Sequence, residues 1–582
     1  MNRNGRSVLW LLWPYMRKYR QLWIAGFVSV AVSNLFMVAG PWILRSAINS
    51  LQGNVTTMGL ALYAVAILGV TLVSGIFRYF MRQTLIVASR KIEYDFRNDF
   101  FAHLLTLDRN YYDKTPTGDI MARASNDMDS VRNMLGPGIT YSYSTAVTLI
   151  FSLTLMAKIS LKLTLLSMLP MPVITFLVFF LGREVNKRFT SIQEKYSDIT
   201  ARAQENFSGI RVVKAYVQEQ AEINDFSSMN IDYIKKNMSM VKIWGMFFPA
   251  IALFGGVAVV MVLWFGGKAV INGTISLGDF VAFSAYLLML IWPMASLGWV
   301  VGLYQRGKAS LVRIKEILDA TPDIRNEQGA IKRAIAGKIE LRNLRFAYNS
   351  DEIIKGIDVV IEPGTSMAII GGTGSGKSTI VSLLLRAYPV ERGMIFIDDI
   401  DINDYALESL RSQIAPVMQE TFLFSETIRS NIAFSNYEQN IESVIKSAYA
   451  AGLSREIYDF PQAYDTILGE RGITLSGGQK QRTALARALA ADPRILILDD
   501  AFSSVDTHTE EEILTNIRQV LKGKTTIMIS HRISTVKGAD LILVMSDGKI
   551  IERGRHADLL AQGGHYAGLY EKQLLKDQLE AL

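Results

Sequence analysis

Six long apolar runs in the first half of the chain constrain its fold more than any other feature. They occupy roughly residues 21–44, 57–80, 137–157, 161–182, 244–267 and 277–302. Each is close to the ~20 residues that a helix needs to cross the hydrocarbon core of a membrane. A large soluble helical domain could hold some such runs, but half of the 582 residues are hydrophobic, which favours a membrane protein. The sequence therefore predicts an α-helical domain with six spans.

Lysine and arginine are distributed unevenly around these runs. They concentrate in the stretch that ends at Arg20 and in the segments 82–132 and 183–242, whereas the short connections near 48–56, 158–162 and 268–275 carry few. Positively charged connections stay on the cytoplasmic side. The N-terminus, both long segments and the second half of the chain are therefore predicted to be cytoplasmic, in a cell membrane of the bacterial inner or plasma membrane type.

The positions of the basic residues indicate which kind of partner the positive charge serves. The net charge of +7 arises from 61 Lys and Arg against 54 Asp and Glu. The surplus is mostly juxtamembrane, where it meets anionic headgroups of membrane lipids, so it does not indicate a nucleic acid partner. Trp10 and Trp13 beside basic residues predict an interfacial amphipathic helix, not a cleaved secretory signal. The sequence has no cysteine, which excludes disulfides and thiolate metal sites.

A glycine-rich loop carries the first chemical motif of the second half. Residues 371–378 fit the phosphate-loop pattern G-x-x-x-x-G-K-[ST]. A strand-like run precedes the loop and a helical pattern follows it, as the motif requires. The motif predicts ATP and Mg²⁺, with Lys377 reaching the β- and γ-phosphates and Ser378 on the metal ion. The predicted ATP-binding residues of the loop are Gly371, Gly372, Thr373, Gly374, Ser375, Gly376, Lys377, Ser378 and Thr379.

Six further motifs accompany this loop in a fixed order. Tyr348 precedes it and Gln419 follows it; next come Leu-Ser-Gly-Gly-Gln at 475–479, the strand 495–500 with two carboxylates, Ser-Ser-Val-Asp at 503–506, and His531 after another strand. Together they resemble the ATP-binding cassette (ABC) family. Gly-Glu-Arg-Gly at 469–472 and the order of the two halves resemble ABC exporters.

The resemblance implies an architecture for the whole chain. We expect a six-span transmembrane domain of the ABC exporter type at 1–306, a linker at 307–336, and an α/β P-loop nucleotide-binding domain at 337–582. The two long cytoplasmic segments are too helical in pattern to be loops, so the spanning helices should continue below the membrane. Residues 112–127 and 205–216 resemble the two coupling regions of exporters, which would press into a groove beside Gln419 on the cassettes.

The resemblance also implies roles for the motif residues. Tyr348 would stack on adenine, and Asp499 would hold Mg²⁺ through water. Gln419 would contact the ion and the attacking water, and His531 the γ-phosphate, because phosphoryl transfer depends mainly on positioning and charge stabilisation. In this family the signature caps ATP held by a second cassette, so the chain is expected to dimerise. The signature residues are Leu475, Ser476, Gly477, Gly478 and Gln479; the D-loop residues are Ser503, Ser504, Val505 and Asp506.

The second carboxylate, Asp500, departs from the glutamate that is usual in the family. Aspartate withdraws the carboxylate by roughly an ångström, and misplacement on that scale can cost ~10²-fold in rate. The site is thus predicted to bind ATP but to hydrolyse it slowly. In one hypothesis the chain is half of a heterodimer, with a degenerate site of its own and a signature that completes a competent site on a second half-transporter. In the other it forms a homodimer with two weak sites.

The spans say little about the transported compound. Apart from Arg45 and Arg78 near span ends, they hold almost no ionisable residue at mid-membrane depth. Methionine and aromatic residues of spans five and six suit hydrophobic or amphipathic small molecules. The main hypothesis is ATP-driven export of such compounds, of the multidrug type, by alternating access. A homodimeric lipid flippase or peptide exporter and an ATP-binding regulatory subunit are alternatives. The methionine and aromatic residues are Met246, Phe247, Phe248, Met261, Tyr286, Met289, Trp292, Met294 and Trp299.

Overall fold

The computed structural model describes residues 8–52, 56–348, 351–436, 438 and 440–580. The chain divides into two compact units, one made of residues 1–106 and 115–320 and the other of residues 107–114 and 321–582. The short helix Arg109–Lys114 therefore belongs to the second unit, although helices of the first unit flank it in sequence. This helix lies just before and within the first predicted coupling region.

The first unit is entirely helical in its described part. Side-chain caps start two of its long helices: Thr56 accepts a hydrogen bond from the Gly59 N–H at 3.2 Å, and Ser276 forms a capping box with Asp279. The α-helices are Trp13–Lys18, Arg20–Leu51, Thr57–Met81, Val87–Thr106, Thr117–Ala122, Met128–Asn133, Ile139–Met168, Met171–Ser208, Ile210–Ala215, Glu219–Gly245, Phe247–Met261, Gly267–Ile271 and Leu277–Leu318. Single π-helical turns at Arg82–Ile86, Arg123–Asp127, Met134–Gly138 and Val262–Gly266 join several of them, and a 3₁₀ turn covers Val8–Leu12.

Five continuous helices of the described chain are long and apolar enough to cross a membrane. They are Arg20–Leu51, Thr57–Thr106, Thr117–Met168, Glu219–Ile271 and Leu277–Leu318, with 32 to 53 residues each. These lengths exceed what a bilayer requires, in agreement with helices that continue beyond it.

The predicted span at 161–182 is not one continuous helix. The backbone leaves helical geometry at Ser160, the helix ends at Met168, and a new helix begins at Met171. Pro170 and Pro172 lack the N–H groups that would continue the hydrogen-bond ladder across this point. The structure thus supports five of the six predicted spans as single helices.

The described part of the second unit contains two sheets. Its ten strands are β1 (Ile339–Tyr348), β2 (Asp351–Ile361), β3 (Ser366–Gly371), β4 (Ile395–Ile397), β5 (Ile400–Asp401), β6 (Ile414–Val417), β7 (Ile495–Asp499), β8 (Thr525–Ile529), β9 (Leu541–Ser546) and β10 (Lys549–Gly554). The larger sheet has the order β10-β9-β3-β8-β7-β6, and all its neighbours are parallel except β9 and β10. The smaller sheet, β2-β1-β4-β5, is antiparallel. The predicted parallel α/β core is therefore confirmed for the larger sheet only.

The parallel strands bring the motifs to one edge of the sheet. Every residue of β7 and β8 is buried, as expected for strands covered on both faces. Helices around the sheets include Lys377–Leu384, Leu407–Arg411, Ile428–Ile432, Ile441–Ala450, Ser454–Ile457, Gly477–Ala490, Thr507–Val520, Ile533–Val536, His556–Ala561 and His565–Glu580. Because β3, β8 and β7 are neighbours, the residues after their carboxyl ends lie together, which is where open α/β sheets bind ligands.

Candidate nucleotide-binding site

The phosphate loop connects β3 to the helix Lys377–Leu384. Gly376 has φ +94° and Gly374 has φ +80°, values that side-chain-bearing residues rarely adopt. A Cβ on Gly371 would lie 2.2 Å from the Met545 carbonyl oxygen. Glycine is thus required at these positions for the tight turn that directs backbone N–H groups inward.

Lys377 is held inside this loop. It is buried, and its Nζ donates to the carbonyl oxygens of Gly371 at 3.0 Å and Gly372 at 2.7 Å. Burial lowers the pKa of Lys377, and the nearby carboxylates of Asp500 and Asp499 oppose that shift. The ammonium group is therefore poised at the loop with hydrogen bonds that anionic phosphate oxygens can replace.

Asp499, the last residue of β7, presents an unpaired carboxylate oxygen. The side chain is 1% exposed, and its Oδ1 has no hydrogen-bond partner among the described residues. Burial raises the pKa of Asp499, and Asp500 adds to this, while the Ser378 hydroxyl and Lys377 act in the opposite direction. A buried carboxylate that lacks a partner fits a cation site. Asp499, Ser378 and the exposed Gln419 after β6 would hold Mg²⁺, which supplies charge neutralisation at the phosphates when bound.

The carboxylate of Asp500 contacts His531. Its backbone has φ +47°, and its N–H donates to the Ile529 carbonyl at 2.9 Å. Its carboxylate accepts the His531 backbone N–H at 3.3 Å, and its second oxygen lies 3.2 Å from His531 Nε2. The two residues to which sequence analysis gave separate roles are therefore paired with each other at the end of β7.

Tyr348 ends β1 and packs with two further aromatic rings. Its ring meets those of Phe346 and Tyr388 edge to face, with centroids 4.9 Å and 5.1 Å away. Tyr388, which sequence reasoning missed, donates its hydroxyl proton to Asp113 in the helix Arg109–Lys114. No local motif marks Tyr388, because its partners come from distant parts of the sequence.

The signature begins the helix Gly477–Ala490 with a capping box. The Gln479 N–H donates to Ser476 Oγ at 3.3 Å, and the Ser476 N–H donates to Gln479 Oε1 at 2.9 Å. A Cβ on Gly478 would lie 2.9 Å from the Ser504 carbonyl oxygen, so the signature packs directly on the D-loop. Leu475 is buried in the core beneath the signature.

Gln481 ties the signature helix to the D-loop. Its Nε2 donates to Ser503 Oγ at 2.7 Å, and its Oε1 accepts the Ser504 N–H at 2.9 Å. Asp506 caps the next helix by accepting the Thr509 N–H at 2.9 Å, and Val505 is buried. Sequence analysis did not single out Gln481, although its place two residues beyond the signature is a usable signal.

Comparisons with known proteins agree with this geometry. The family described as "ABC transporter transmembrane region" matches residues 23–294, and the family "ABC transporter" matches residues 354–503. A probable multidrug resistance ABC transporter ATP-binding/permease protein, YheI of Bacillus subtilis, is 36% identical over 98% of both chains. An ATP-dependent lipid A-core flippase of Syntrophus aciditrophicus is 34% identical over 88% of this chain and 86% of its own.

A solved structure extends the comparison to the fold. A bacterial Atm1-family ABC exporter with ATP bound matches with a TM-score of 0.81 and 27% identity, covering 95% of this chain and 99% of the other. Both halves of the sequence are thus accounted for by the same kind of protein. The chain belongs to the ABC transporter family and is an exporter half-transporter, a multi-pass membrane protein with one ATP-binding cassette.

Proposed function

We propose that the chain is one half of a heterodimeric exporter of hydrophobic or amphipathic compounds. In this complex it binds ATP at a slow site of its own and completes a faster site on a partner half-transporter. The observation that carries the proposal is the short carboxylate of Asp500, which is engaged by His531 at the end of β7. An exporter needs at least one efficient site, so an efficient one would come from the partner.

The slow site follows from where Asp500 places its charge. The carboxylate is 8% exposed and has both oxygens directed at His531. Orienting or deprotonating a water requires a carboxylate within hydrogen-bond reach of it, and aspartate lacks the methylene that would extend it past the histidine. Lys377 and Asp499 keep their places, so ATP binding persists while turnover is slow.

The signature is intact in the sequence, and its side chains bond within the signature and to Glu456. Among the described residues, no hydrogen bond joins residues 475–479 to residues 371–379. The capping box uses a lone pair of Ser476 Oγ as acceptor, which leaves the hydroxyl proton free for a phosphate oxygen. With the N–H groups of Gly477 and Gly478 at a helix N-terminus, this forms an anion site for ATP held by a partner.

The coupling regions fit a two-chain machine. In the first, the Tyr388 hydroxyl donates to Asp113 of the helix Arg109–Lys114, and Asn110 of the same helix donates to Asp323 at 3.1 Å. In the second, the helix Ile210–Ala215 leaves Val212 exposed, with Tyr216 exposed just after it. We propose that this apolar surface contacts the cassette of the partner. The contact would lie at the position that corresponds to the exposed aromatic side chains after Gln419 in this chain. Six spans per chain, with the fourth, at 161–182, interrupted at Pro170, complete the proposed topology.

The transported compound is proposed to be apolar or amphipathic. Met246, Phe248 and Trp292 expose large apolar side chains, which supports contact with such compounds or with lipid. Tyr286 is different, because it is fully buried and its hydroxyl donates to the Val38 carbonyl at 3.0 Å. Resemblance to a lipid A-core flippase favours lipid flipping by a homodimer as the second candidate.

The test starts from the complex itself. A tag on this chain is used to purify the transporter from native membranes, and its mass and subunit composition are measured. A second, different half-transporter with glutamate at the position of Asp500 is the expected result; a species with twice the mass of this chain alone would contradict the heterodimer. Uptake of a hydrophobic dye and of a labelled lipid into proteoliposomes then separates drug export from lipid flipping.

A further inference from the structure

We propose that Glu456 is a positioning residue that sets the orientation of the signature. Glu456 lies in the short helix Ser454–Ile457, outside every motif of the site. Its Oε2 accepts a hydrogen bond from Gln479 Nε2 at 2.8 Å. The inference rests on the proposed function, because it concerns the surface through which this chain contacts ATP held by a partner.

The carboxylate decides which way the Gln479 amide faces. A carboxylate only accepts hydrogen bonds, so the NH₂ group of Gln479 must point at Glu456. The amide oxygen then points at the Ser476 N–H and completes the capping box at 2.9 Å. With the amide turned around, two N–H donors would face each other and the capping box would be lost.

Arg482 holds Glu456 in place. Its Nη1 lies 2.7 Å from Glu456 Oε1 and also donates to the Gly452 carbonyl at 2.7 Å. Gln479 and Arg482 are three residues apart on one helix and therefore lie on the same face. Each oxygen of Glu456 thus has its own donor on the first two turns of the signature helix.

The chain of contacts reaches the atoms that would meet the phosphate. Glu456 fixes the Gln479 amide, and the amide fixes the backbone of Ser476. The Gln479 backbone N–H in turn occupies a lone pair of Ser476 Oγ at 3.3 Å, so the hydroxyl acts as a donor toward a phosphate. A change at Glu456 should therefore alter hydrolysis at the partner's site without touching ATP.

A reciprocal exchange of acid and amide tests this geometry. The variant Gln479→Glu places two carboxylates against each other. The variant Glu456→Gln has only one amide oxygen to accept from Gln479 and Arg482, so its NH₂ group faces one of these two donors. The double variant restores every contact: the amide at position 456 donates to the new carboxylate and accepts from Arg482. Each single variant should lower the ATPase activity of the full-length complex severalfold, up to about thirty-fold if the full cost of losing one helix cap falls on the hydrolysis step. The double variant should return to within about twofold of the native rate.

Two controls accompany these variants in the complex purified through a tag on this chain. Glu512→Gln removes an exposed charge on another helix and should leave the rate unchanged. Ser476→Ala removes the donor hydroxyl and should abolish most activity. Thermal unfolding of each complex shows whether the single variants fold; where one does not accumulate, the double variant decides alone.

The outcomes separate the inference from the proposed function. Recovery in the double variant supports the role of Glu456. Full activity in the single variants, or no recovery in the double variant while Ser476→Ala is inactive, overturns that role and leaves the proposed function standing. Full activity of Ser476→Ala shows that the signature of this chain does not serve hydrolysis, which overturns both.

Discussion

Replacement of Asp500 by glutamate tests the property that distinguishes this cassette. In the structure the aspartate carboxylate turns back to His531, with Nε2 at 3.2 Å. One added methylene extends the carboxylate by roughly an ångström, a displacement that is associated with about 10²-fold in rate. We therefore expect Asp500→Glu to turn a slow site into one of ordinary speed.

The expected change in total activity is small unless the partner's site is silenced. If the partner's site turns over at a rate k and this site at about k/100, a fully restored site raises the total from about k to at most about 2k. Replacing the phosphate-loop lysine of the partner removes the larger contribution. Against that background, Asp500→Glu should raise ATP hydrolysis by up to ~10²-fold.

The assay measures phosphate release by the complex in proteoliposomes at saturating MgATP. Residue 500 has φ +47°, a conformation that aspartate tolerates better than glutamate, so a loss of about 1 kcal/mol in stability is expected and should be followed by thermal unfolding. Asp500→Asn serves as the control, since an already slow site has little activity to lose. If Asp500→Asn stops hydrolysis by the native complex, Asp500 is the working carboxylate and the reasoning is refuted. An unchanged rate for Asp500→Glu with normal ATP binding would refute it as well.

Three other predictions concern neighbouring groups. Lys377→Ala removes a charged donor worth about 1.5–3 kcal/mol, so ATP binding at this site should weaken by roughly 10- to 100-fold in an equilibrium binding assay. Its effect on total ATP hydrolysis should be smaller than that of the same change in the partner. Equal effects on hydrolysis would count against two unequal sites. Burial raises the pKa of Asp499 in the folded cassette. Without nucleotide, its contribution to stability is therefore full below the unfolded pKa of about 4 and is lost as pH rises through the folded pKa. Asp499→Asn should flatten the dependence of the unfolding temperature on pH over that range, and an unchanged slope would contradict this. Tyr388→Phe removes the hydrogen bond to Asp113. It should reduce the stimulation of ATP hydrolysis by transported compounds, while ATP affinity stays near normal. Unchanged stimulation would show that this contact does not couple compound binding to hydrolysis.

Much of the site could be predicted because its chemistry is encoded locally. The phosphate loop needs glycine at Gly374 and Gly376 for positive φ, and that requirement is visible in eight consecutive residues. The strand before Asp499 is buried on both faces and therefore reads as a continuous apolar run. Local backbone geometry and burial can therefore be predicted from residue types at consecutive positions of the sequence.

The misses involve contacts between distant segments or ambiguous runs. Glu456, Gln481 and Tyr388 lie outside the motifs, and each acts through partners that only folding brings within reach. The fourth apolar run, at 161–182, reads as one span because its hydropathy is continuous, whereas the helix is interrupted at Pro170. The antiparallel sheet β2-β1-β4-β5 leaves a weak sequence pattern, because β4 and β5 have only three and two residues and the pairing of β1 with β2 is interrupted by register shifts.

The sequence alone determined the class of protein, the ATP-binding motifs and the shortened carboxylate, since these depend on residue type and spacing. The tertiary structure decided the relations among them. It paired Asp500 with His531, gave Asp499 Oδ1 no hydrogen-bond partner within the part of the chain that the structure describes, and linked Glu456 to the signature through Gln479. A hydrogen bond depends on distances of about 3 Å between atoms whose residues are far apart in the chain, and folding alone sets those distances.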